Sequence, residues 1–292
     1  MPEWEGKSKA NASGYKIFVF LIKTFGVRSA YLLLIFVAGY YFLFSRSTSR
    51  PILNFYRKRL GFSKSKSLAM LYKNYYTFGQ THIDKIALMA KVPVKFTYNF
   101  DGEQYLREMV EQKKGGLFLS AHIGNYEAAG HLFKRHNTIV NIVMYDGEDA
   151  PIKKYMDGVL GEKTFNVIYV SNDLSHIYKI NEALSANEIV CIHGDRFLPG
   201  NKTLRCNFLG EEALFPEGPF LLALKLKVPV VYVYAFKETV SHYHFYSTPL
   251  KRFYENKETT MQDILKDFVA NVETMVNRYP EQWFNYYDFW KR

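Results

Sequence analysis

Short apolar runs alternate with longer stretches of helical spacing over residues 102–278. Apolar runs of about four to eight residues predict buried strands, and the longer stretches predict helices. Regular alternation of the two favours a sheet that is covered by helices on both faces. We therefore predict an α/β fold with a mostly parallel or mixed sheet flanked by helices, and polar chemistry at the strand ends. The predicted strands are 117–121, 139–144, 166–170, 189–193, 228–235 and 242–247, and the predicted helices are 102–114, 127–136, 150–160, 172–186, 218–227 and 258–278.

The N-terminal part of the chain has a different pattern. Residues 30–44 are uncharged and apolar, with Arg28 before them and Arg46 after them. The run is shorter than the ~20 residues that span a bilayer squarely, so a tilted span and a helix lying in the interface both remain open. A core helix beside a solvated basic face is a third interpretation. We expect a basic, hydrophobic membrane anchor over 1–50 and one catalytic domain over 51–292. Amphipathic helices are predicted at 50–60, 67–78 and 82–91.

The formal net charge of +10 is concentrated near the N-terminus. Residues 6–83 contain 13 Lys or Arg and no Asp or Glu. Cations beside an apolar helix suit an anionic lipid surface on the cytoplasmic side. The apolar run ends in aromatics and Arg, unlike a signal-peptide cleavage site. The sequence has no nucleic-acid-binding motif, so we expect no nucleic-acid partner. Cys191 and Cys206 are expected to be free thiols in a reducing compartment.

Residues 117–127, Leu-Phe-Leu-Ser-Ala-His-Ile-Gly-Asn-Tyr-Glu, combine an apolar strand, a turn and a helix start. Four residues separate His122 from Glu127, and the turn between them would fold the imidazole back towards the carboxylate. The carboxylate would keep one ring nitrogen protonated and leave the other free to take a proton from an alcohol. We interpret His122 as a general base and Glu127 as its orienting partner. The alternative is a pair that only stabilises the turn.

Two later segments also deliver polar residues next to apolar elements. Residues 188–196 form an apolar strand that ends in Asp195 and Arg196, and Pro-Glu-Gly-Pro opens an apolar helix at 216–219. Arg196 is a candidate oxyanion donor, with an ion pair to Asp195 or a phosphate contact as the competing roles. Glu217 and Gly218 either shape an acceptor pocket or only form a turn and helix start. Asn125, Asp195 and the backbone N–H groups of 123–125 complete the candidate substrate or oxyanion contacts.

Other chemistries have weaker support in the sequence. There is no Gly-x-Ser-x-Gly elbow, and Ser120 is expected to be an ordinary strand residue. His-Glu-x-x-His is absent, so the spacing of the histidines does not favour a metal site. No phosphate-binding or dinucleotide-binding Gly motif occurs. We therefore predict neither a metal nor a cofactor, and we expect His131 and His193 to be structural.

The three segments, in this order, resemble the lysophospholipid acyltransferase superfamily, whose hallmark is a His, four residues, then Asp or Glu. They are most similar to its late lipid A acyltransferases, which have a His-x-Gly-Asn-Trp/Tyr-Glu-like block, an Asp-Gln or Asp-Arg block, and a Gly-containing turn before a Leu-Ala helix. Residues 280–290, Pro-Glu-Gln-Trp-Phe-Asn-Tyr-Tyr-Asp-Phe-Trp, resemble the ending of that branch. The chain departs from the pattern at Arg196, where Gln is frequent. Residues 215–218 also lack the Thr-Arg-Ser that follows in glycerolipid acyltransferases.

The resemblance implies a glycerolipid-acyltransferase-like fold and direct acyl transfer from a thioester to a membrane lipid. Acyl-acyl carrier protein or acyl-CoA would be the co-substrate, with acyl carrier protein as a partner. The expected location is the cytoplasmic face of the bacterial inner membrane. A lipid A precursor is the expected acceptor; a lysophospholipid, an aminolipid or an aryl-polyene-type lipid remains an alternative, as does a non-catalytic lipid-binding relative.

Overall fold

The computed structural model describes residues 12–90, 92, 94–125, 138–145, 165–171 and 173–290. Its strands are β1 Thr97–Asp101, β2 Gly116–Ser120, β3 Val140–Met144, β4 Asn166–Tyr169, β5 Ile189–His193, β6 Thr203–Phe208, β7 Glu211–Pro216, β8 Val230–Lys237 and β9 His242–Ser247. Its α-helices are α1 Ala12–Phe25, α2 Val27–Phe44, α3 Arg46–Asn54, α4 Lys64–Met89, α5 Glu103–Glu111, α6 Ser175–Ser185, α7 Gly218–Lys225 and α8 Met261–Arg278. A π-helical turn, Phe55–Arg59, continues α3, and short 3-10 turns lie at Phe253–Glu255 and Pro280–Gln282.

Seven of these strands form one mixed sheet in the order β1-β9-β8-β2-β5-β3-β4. Strands β2, β3, β4, β5 and β8 are parallel to their neighbours in this group, whereas β9 is antiparallel to β8 and parallel to β1. Strand β2 is central, and all five of its residues are buried. Leu117 and Leu119 belong to one apolar cluster, and Phe118 belongs to another. The predicted mixed α/β sheet flanked by helices is therefore confirmed.

Three strands were not expected from the sequence. Strand β1 is an edge strand with mostly exposed side chains, so it lacks the apolar pattern on which the prediction relies. Strands β6 and β7 form an antiparallel hairpin, whose turn has φ of 52° at Leu209 and 83° at Gly210. Positive φ at both central residues is typical of a tight hairpin turn, but Leu is an unusual residue there. The two predicted helices at 127–136 and 150–160 lie outside the described residues.

The prediction of separate helices at 67–78 and 82–91 was wrong, because α4 is continuous through both segments. Gly79 lies within this helix and packs against Leu34 of α2. A Cβ atom on Gly79 would lie 2.2 Å from Leu34 Cδ1. The glycine therefore permits close approach of two helices and does not end α4.

The N-terminal helix α2 has two different faces. Its inner face contacts α4 and the core, and consists of Val27, Ala30, Tyr31, Leu34 and Ala38. Its outer face is exposed and apolar, with Leu32, Phe36, Leu43 and Phe44 each more than 60% exposed. This helix of 18 residues is the one described helix that is long and apolar enough to cross a membrane, and 28% of it is buried in the protein. The expected division of the chain at residue 50 remains a prediction.

Candidate active site

The candidate site lies at the carboxyl ends of the neighbouring strands β2 and β5. These strands are parallel, and Ser120 is paired in register with His193. Two residues further along each chain segment stand His122 and Asp195. Since parallel strands end at the same edge of a sheet, this register brings the two side chains together. A hydrogen bond from Gly194 N–H to the Ser120 carbonyl, 2.8 Å long, connects the two strand ends just before this point.

His122 makes two contacts with the Asp195 carboxylate. The imidazole Nδ1 lies 2.7 Å from Asp195 Oδ1, and the backbone N–H of His122 donates to Asp195 Oδ2 over 2.9 Å. A carboxylate only accepts hydrogen bonds, so this contact favours the tautomer with hydrogen on Nδ1 and the lone pair on Nε2. The His122 side chain is 18% exposed and Asp195 4%. The pair therefore has the arrangement of a general base with an enclosed orienting group.

The charges around the pair keep Asp195 ionised. Burial by itself raises the pKa of Asp195, but the charge of His122, its hydrogen bond and the charge of Arg196 outweigh burial and lower the pKa below its ordinary value. His193 packs its ring against that of His122, with centroids 4.3 Å apart. Burial, His122 and Arg196 together lower the pKa of His193 well below its ordinary value. A neutral imidazole thus lies beside His122.

The turn that follows His122 is shaped by Gly124. Its φ is +66°, and a Cβ atom there would lie 2.1 Å from the Ala235 carbonyl oxygen. The backbone N–H groups of this turn all donate within the protein: Ile123 to Ala121, Gly124 to Gln282 and Asn125 to Ala235, at 2.7, 2.9 and 2.6 Å. The hypothesis that these N–H groups form an oxyanion hole is therefore not supported, because each already has an acceptor.

The Asn125 side chain is buried and makes hydrogen bonds inside the protein. Its Nδ2 donates to Tyr243 Oη over 3.0 Å, and its relative exposure is 3%. Thr81 O lies 3.4 Å from the same nitrogen. The expected contact of Asn125 with substrate remains untested, and these bonds give its side chain a role inside the protein.

The C-terminal segment contacts the turn that follows His122. Phe284 N–H donates to the His122 carbonyl over 3.2 Å, and Ile123 pairs with Trp283 in an isolated antiparallel bridge. Arg196 Nη2 donates to the Phe284 carbonyl at 2.5 Å. Residues 282–284 therefore hold both the turn at 123–125 and the Arg196 guanidinium. The similarity of 280–290 to a family ending was the one signal that pointed to this segment.

The remaining predicted site residues fall in different places. Glu127 lies outside the described residues. Glu217 and Gly218 stand at the start of α7, and Phe220 in the same helix packs at Gly194, where an added Cβ would lie 3.2 Å from its Cζ. Ser120 donates from Oγ to the Val233 carbonyl over 2.7 Å and is buried, which fits a strand residue and not a nucleophile.

The described residues contain no cluster of three or more His, Cys, Asp or Glu that would hold a metal ion. Cys191 and Cys206 are free thiols. The buried ion pair of Asp84 and Lys237, with Nζ and Oδ2 2.6 Å apart, was not predicted from the sequence. A signal was present, because Asp84 is the first acid after the acid-free stretch 6–83.

Comparison with known proteins gives the family. Among solved structures, the crystal structure of the 1-acyl-sn-glycerophosphate (LPA) acyltransferase PlsC from Thermotoga maritima matches with 12% identity and a TM-score of 0.38, over 90% of this chain and 97% of that chain. No curated protein matches the sequence. A sequence model of the family described as bacterial lipid A biosynthesis acyltransferase matches residues 10–292. The expected superfamily and enzyme class are thereby confirmed: the chain belongs to the bacterial lipid A biosynthesis acyltransferase family.

Proposed function

We propose that this acyltransferase moves a fatty acyl chain from a thioester carrier to a hydroxyl or amino group of a membrane lipid, with a lipid A precursor as the acceptor. The observation that carries the proposal is the His122 and Asp195 pair at 2.7 Å, at the ends of β2 and β5. The pair leaves Nε2 of a partly exposed imidazole able to accept a proton, as acyl transfer to an alcohol requires.

In the proposed reaction, His122 Nε2 takes the proton of the acceptor hydroxyl as its oxygen attacks the thioester carbonyl. The new carbon–oxygen bond forms, the carbon–sulfur bond breaks, and the proton passes from His122 to the departing thiolate. No covalent acyl-enzyme is formed. Asp195 holds the imidazole tautomer and balances its transient positive charge. Glu127 is proposed to support His122 as a second carboxylate.

Negative charge develops on the thioester oxygen during attack and needs a donor held ready for it. We assign this stabilisation, or the binding of an acceptor phosphate, to Arg196. Its guanidinium is oriented by the Phe284 carbonyl and lies close enough to Asp195 to lower the pKa of that carboxyl. Glu217 and Gly218, at the start of α7, are proposed to border the acceptor. The chemistry needs no metal or cofactor beyond the acyl carrier itself.

The proposed donor is acyl-acyl carrier protein, with acyl-CoA as the alternative, and the proposed location is the cytoplasmic face of the bacterial inner membrane. Helix α2 supports membrane attachment through one leaflet. Its inner face is packed on α4 from Val27 to Ala38, so the helix lies along the domain and does not project from it. The outer apolar face would enter the lipid, and the exposed Arg46, Arg50 and Lys58 would meet anionic headgroups.

The test is an acyl-transfer assay with the purified full-length protein in lipid nanodiscs. Acyl-acyl carrier protein and acyl-CoA are each offered with a lipid A precursor, a lysophospholipid, an aminolipid or an aryl-polyene-type lipid, and the products are identified by mass spectrometry. Transfer to the lipid A precursor that is lost in folded His122→Ala supports the proposal. Transfer to another lipid selects an alternative acceptor. Binding of lipid without any transfer would indicate a non-catalytic relative.

A further inference from the structure

A buried polar cluster is connected by hydrogen bonds to the turn that follows His122. Its centre is Asp84 of α4, which has no exposed surface and receives three donors. Lys237 Nζ lies 2.6 Å from Asp84 Oδ2, and the hydroxyls of Tyr31 and Tyr243 both donate to the same carboxylate. Lys237 Nζ also donates to Tyr31 Oη over 3.1 Å. Four elements, α2, α4, β8 and β9, therefore meet at one ion pair.

The charged groups of this cluster have the hydrogen-bond partners that a buried ion pair requires. Burial raises the pKa of Asp84 and lowers the pKa of Lys237, and the attraction between the two acts in the opposite direction on both. The two tyrosine hydroxyls and the Val240 carbonyl, 2.8 Å from Lys237 Nζ, supply the remaining hydrogen bonds. Removal of one member takes a hydrogen bond from its buried neighbours, so the cluster is expected to hold one arrangement only.

Two connections lead from this cluster to the turn that follows His122. The Tyr243 hydroxyl that donates to Asp84 accepts a hydrogen bond from Asn125 Nδ2. The backbone of Lys237 is paired with the side chain of Gln282, through Lys237 N–H to Oε1 at 3.0 Å and Nε2 to the Lys237 carbonyl at 2.9 Å. The Gln282 carbonyl in turn accepts from Gly124 N–H. Consecutive residues of the turn are thus held by two routes from one ion pair.

We infer that Tyr31, Asp84, Lys237 and Tyr243 are positioning residues that couple the docking of helix α2 to the geometry of the His122 turn. Helix α2 is then part of the catalytic apparatus as well as a membrane attachment, because its Tyr31 hydroxyl completes the cluster. Disturbance of Tyr31 alters the placement of Asn125, three residues after His122. The inference deepens the proposed function and rests on His122 as the base.

The experiment compares two changes that each delete one tyrosine hydroxyl from α2. Tyr31→Phe removes a hydroxyl from the cluster, where Tyr31 is 5% exposed. Tyr40→Phe is the matched control, because Tyr40 lies on the outer face and is 60% exposed. Tyr243→Phe provides a second variant on β9. Amide hydrogen exchange of peptides covering 121–125, flotation with anionic vesicles, thermal unfolding, and kcat and KM with a short-chain form of the accepted lipid are measured for each full-length protein.

We expect Tyr31→Phe and Tyr243→Phe to raise exchange at 121–125 by about tenfold and to lower kcat by about tenfold. The expected loss of kcat is smaller than the ~10²-fold that a 1 Å misplacement can cost. KM and vesicle binding should stay within about twofold of the wild type, because neither hydroxyl contacts lipid or substrate. Tyr40→Phe should change none of these values. The Tyr31→Phe/Tyr243→Phe double variant should raise exchange and lower kcat only slightly more than Tyr243→Phe alone, since both hydroxyls act through Asp84.

Unchanged exchange and kcat in both cluster variants would overturn the inference and leave the proposed base intact. A loss of activity in Tyr31→Phe that only follows reduced vesicle binding would also overturn it. If His122→Ala keeps full activity, the proposed mechanism fails, and the exchange measurement alone then decides the coupling. Should Tyr31→Phe unfold at the assay temperature, Tyr243→Phe and exchange at lower temperature decide it.

Discussion

His122 and Asp195 stand two residues beyond neighbouring parallel strands, and Nδ1 of the one lies 2.7 Å from Oδ1 of the other. The same carboxylate also accepts the backbone N–H of His122. One buried group therefore fixes both the ring and the main chain of His122. This double contact makes Asp195 a stronger candidate for the orienting partner than its sequence position suggested.

Asp195→Asn should fold and lose activity. The amide introduced by this substitution would keep its oxygen towards the His122 backbone N–H and turn its NH₂ towards Nδ1. That contact favours hydrogen on Nε2, where the base needs a lone pair. We expect kcat to fall by ~10²–10⁴, as for loss of a general base. Steady-state kinetics and thermal unfolding of the variant provide the check.

Glu127→Ala is the companion variant, and we expect it to reduce turnover severely as well. Wild-type kcat in folded Asp195→Asn, together with a large loss in Glu127→Ala, would assign the orienting role to Glu127 alone. Large losses in both would show that His122 depends on two carboxylates.

Substitution by Ala is expected to affect the fold differently at Gly124 and at Gly218. Gly124→Ala places a Cβ 2.1 Å from a carbonyl oxygen at φ +66°, so we expect loss of the fold or of at least about 10²-fold in activity, since a 1 Å shift alone costs that much. A Cβ on Gly218 meets no atom within 4 Å. Gly218→Ala should keep the melting temperature, and a fall in kcat/KM for the lipid acceptor would place the acceptor at the start of α7. Full activity of Gly218→Ala would leave Pro-Glu-Gly-Pro as a helix start only.

His193 should make the stability of the fold depend on pH. Its folded-state pKa lies well below the ordinary value near 6.5, so the unfolded state binds more protons as pH falls through that value. The stabilising effect of the neutral His193 is thus complete above about pH 6.5 and is lost as pH falls towards the folded pKa, by at most ~1.4 kcal/mol per unit. Melting curves of wild type and His193→Gln from pH 7.5 to 5.5, a range chosen about the reference pKa, should converge towards low pH. Parallel curves would contradict this prediction.

The positions of the strands next to the site could be predicted from the sequence, whereas the contacts between their side chains could not. Strands β2 and β5 are short apolar runs bounded by polar residues, so local pattern was sufficient to identify them. The pairing of His122 with Asp195 depends on which strands are neighbours and in what register, and a single sequence does not contain that information directly. The same limit explains why Asp84, Lys237 and Tyr243, which are far apart in the chain, were not recognised as one cluster.

The apolar pattern of helix α2 allowed two interpretations. Its apolarity indicated both a membrane element and a core helix, and the structure shows one buried face and one exposed apolar face. When both the buried and the exposed face of a helix are apolar, no stripe of charged residues marks the exposed face. The packing of Leu34 on Gly79 and the bonding of Tyr31 to Asp84 mark the inner face.

The outer face of α2 can be changed without disturbing its inner face. Leu32→Asn/Phe36→Asn changes side chains that are 63% and 71% exposed, so the melting temperature should hardly change. Each such side chain is worth ~1.5–3 kcal/mol when fully buried in an apolar phase, so vesicle binding should fall by at least about tenfold. Residual binding should weaken as salt rises, because Arg46, Arg50 and Lys58 still attract anionic lipid. Activity on a short, soluble acceptor should be retained.

Removal of residues 1–45 should have a different effect, because it deletes the inner face together with the outer one. The truncated protein loses Tyr31 from the Asp84 cluster and Leu34 from Gly79. We therefore expect lower thermal stability and reduced turnover even of a soluble acceptor, in contrast to the outer-face variant. Flotation, melting and soluble-acceptor kinetics of the two proteins make the comparison. A truncated protein that melts like the wild type and turns over the soluble acceptor at full rate would show that α2 acts only as an anchor.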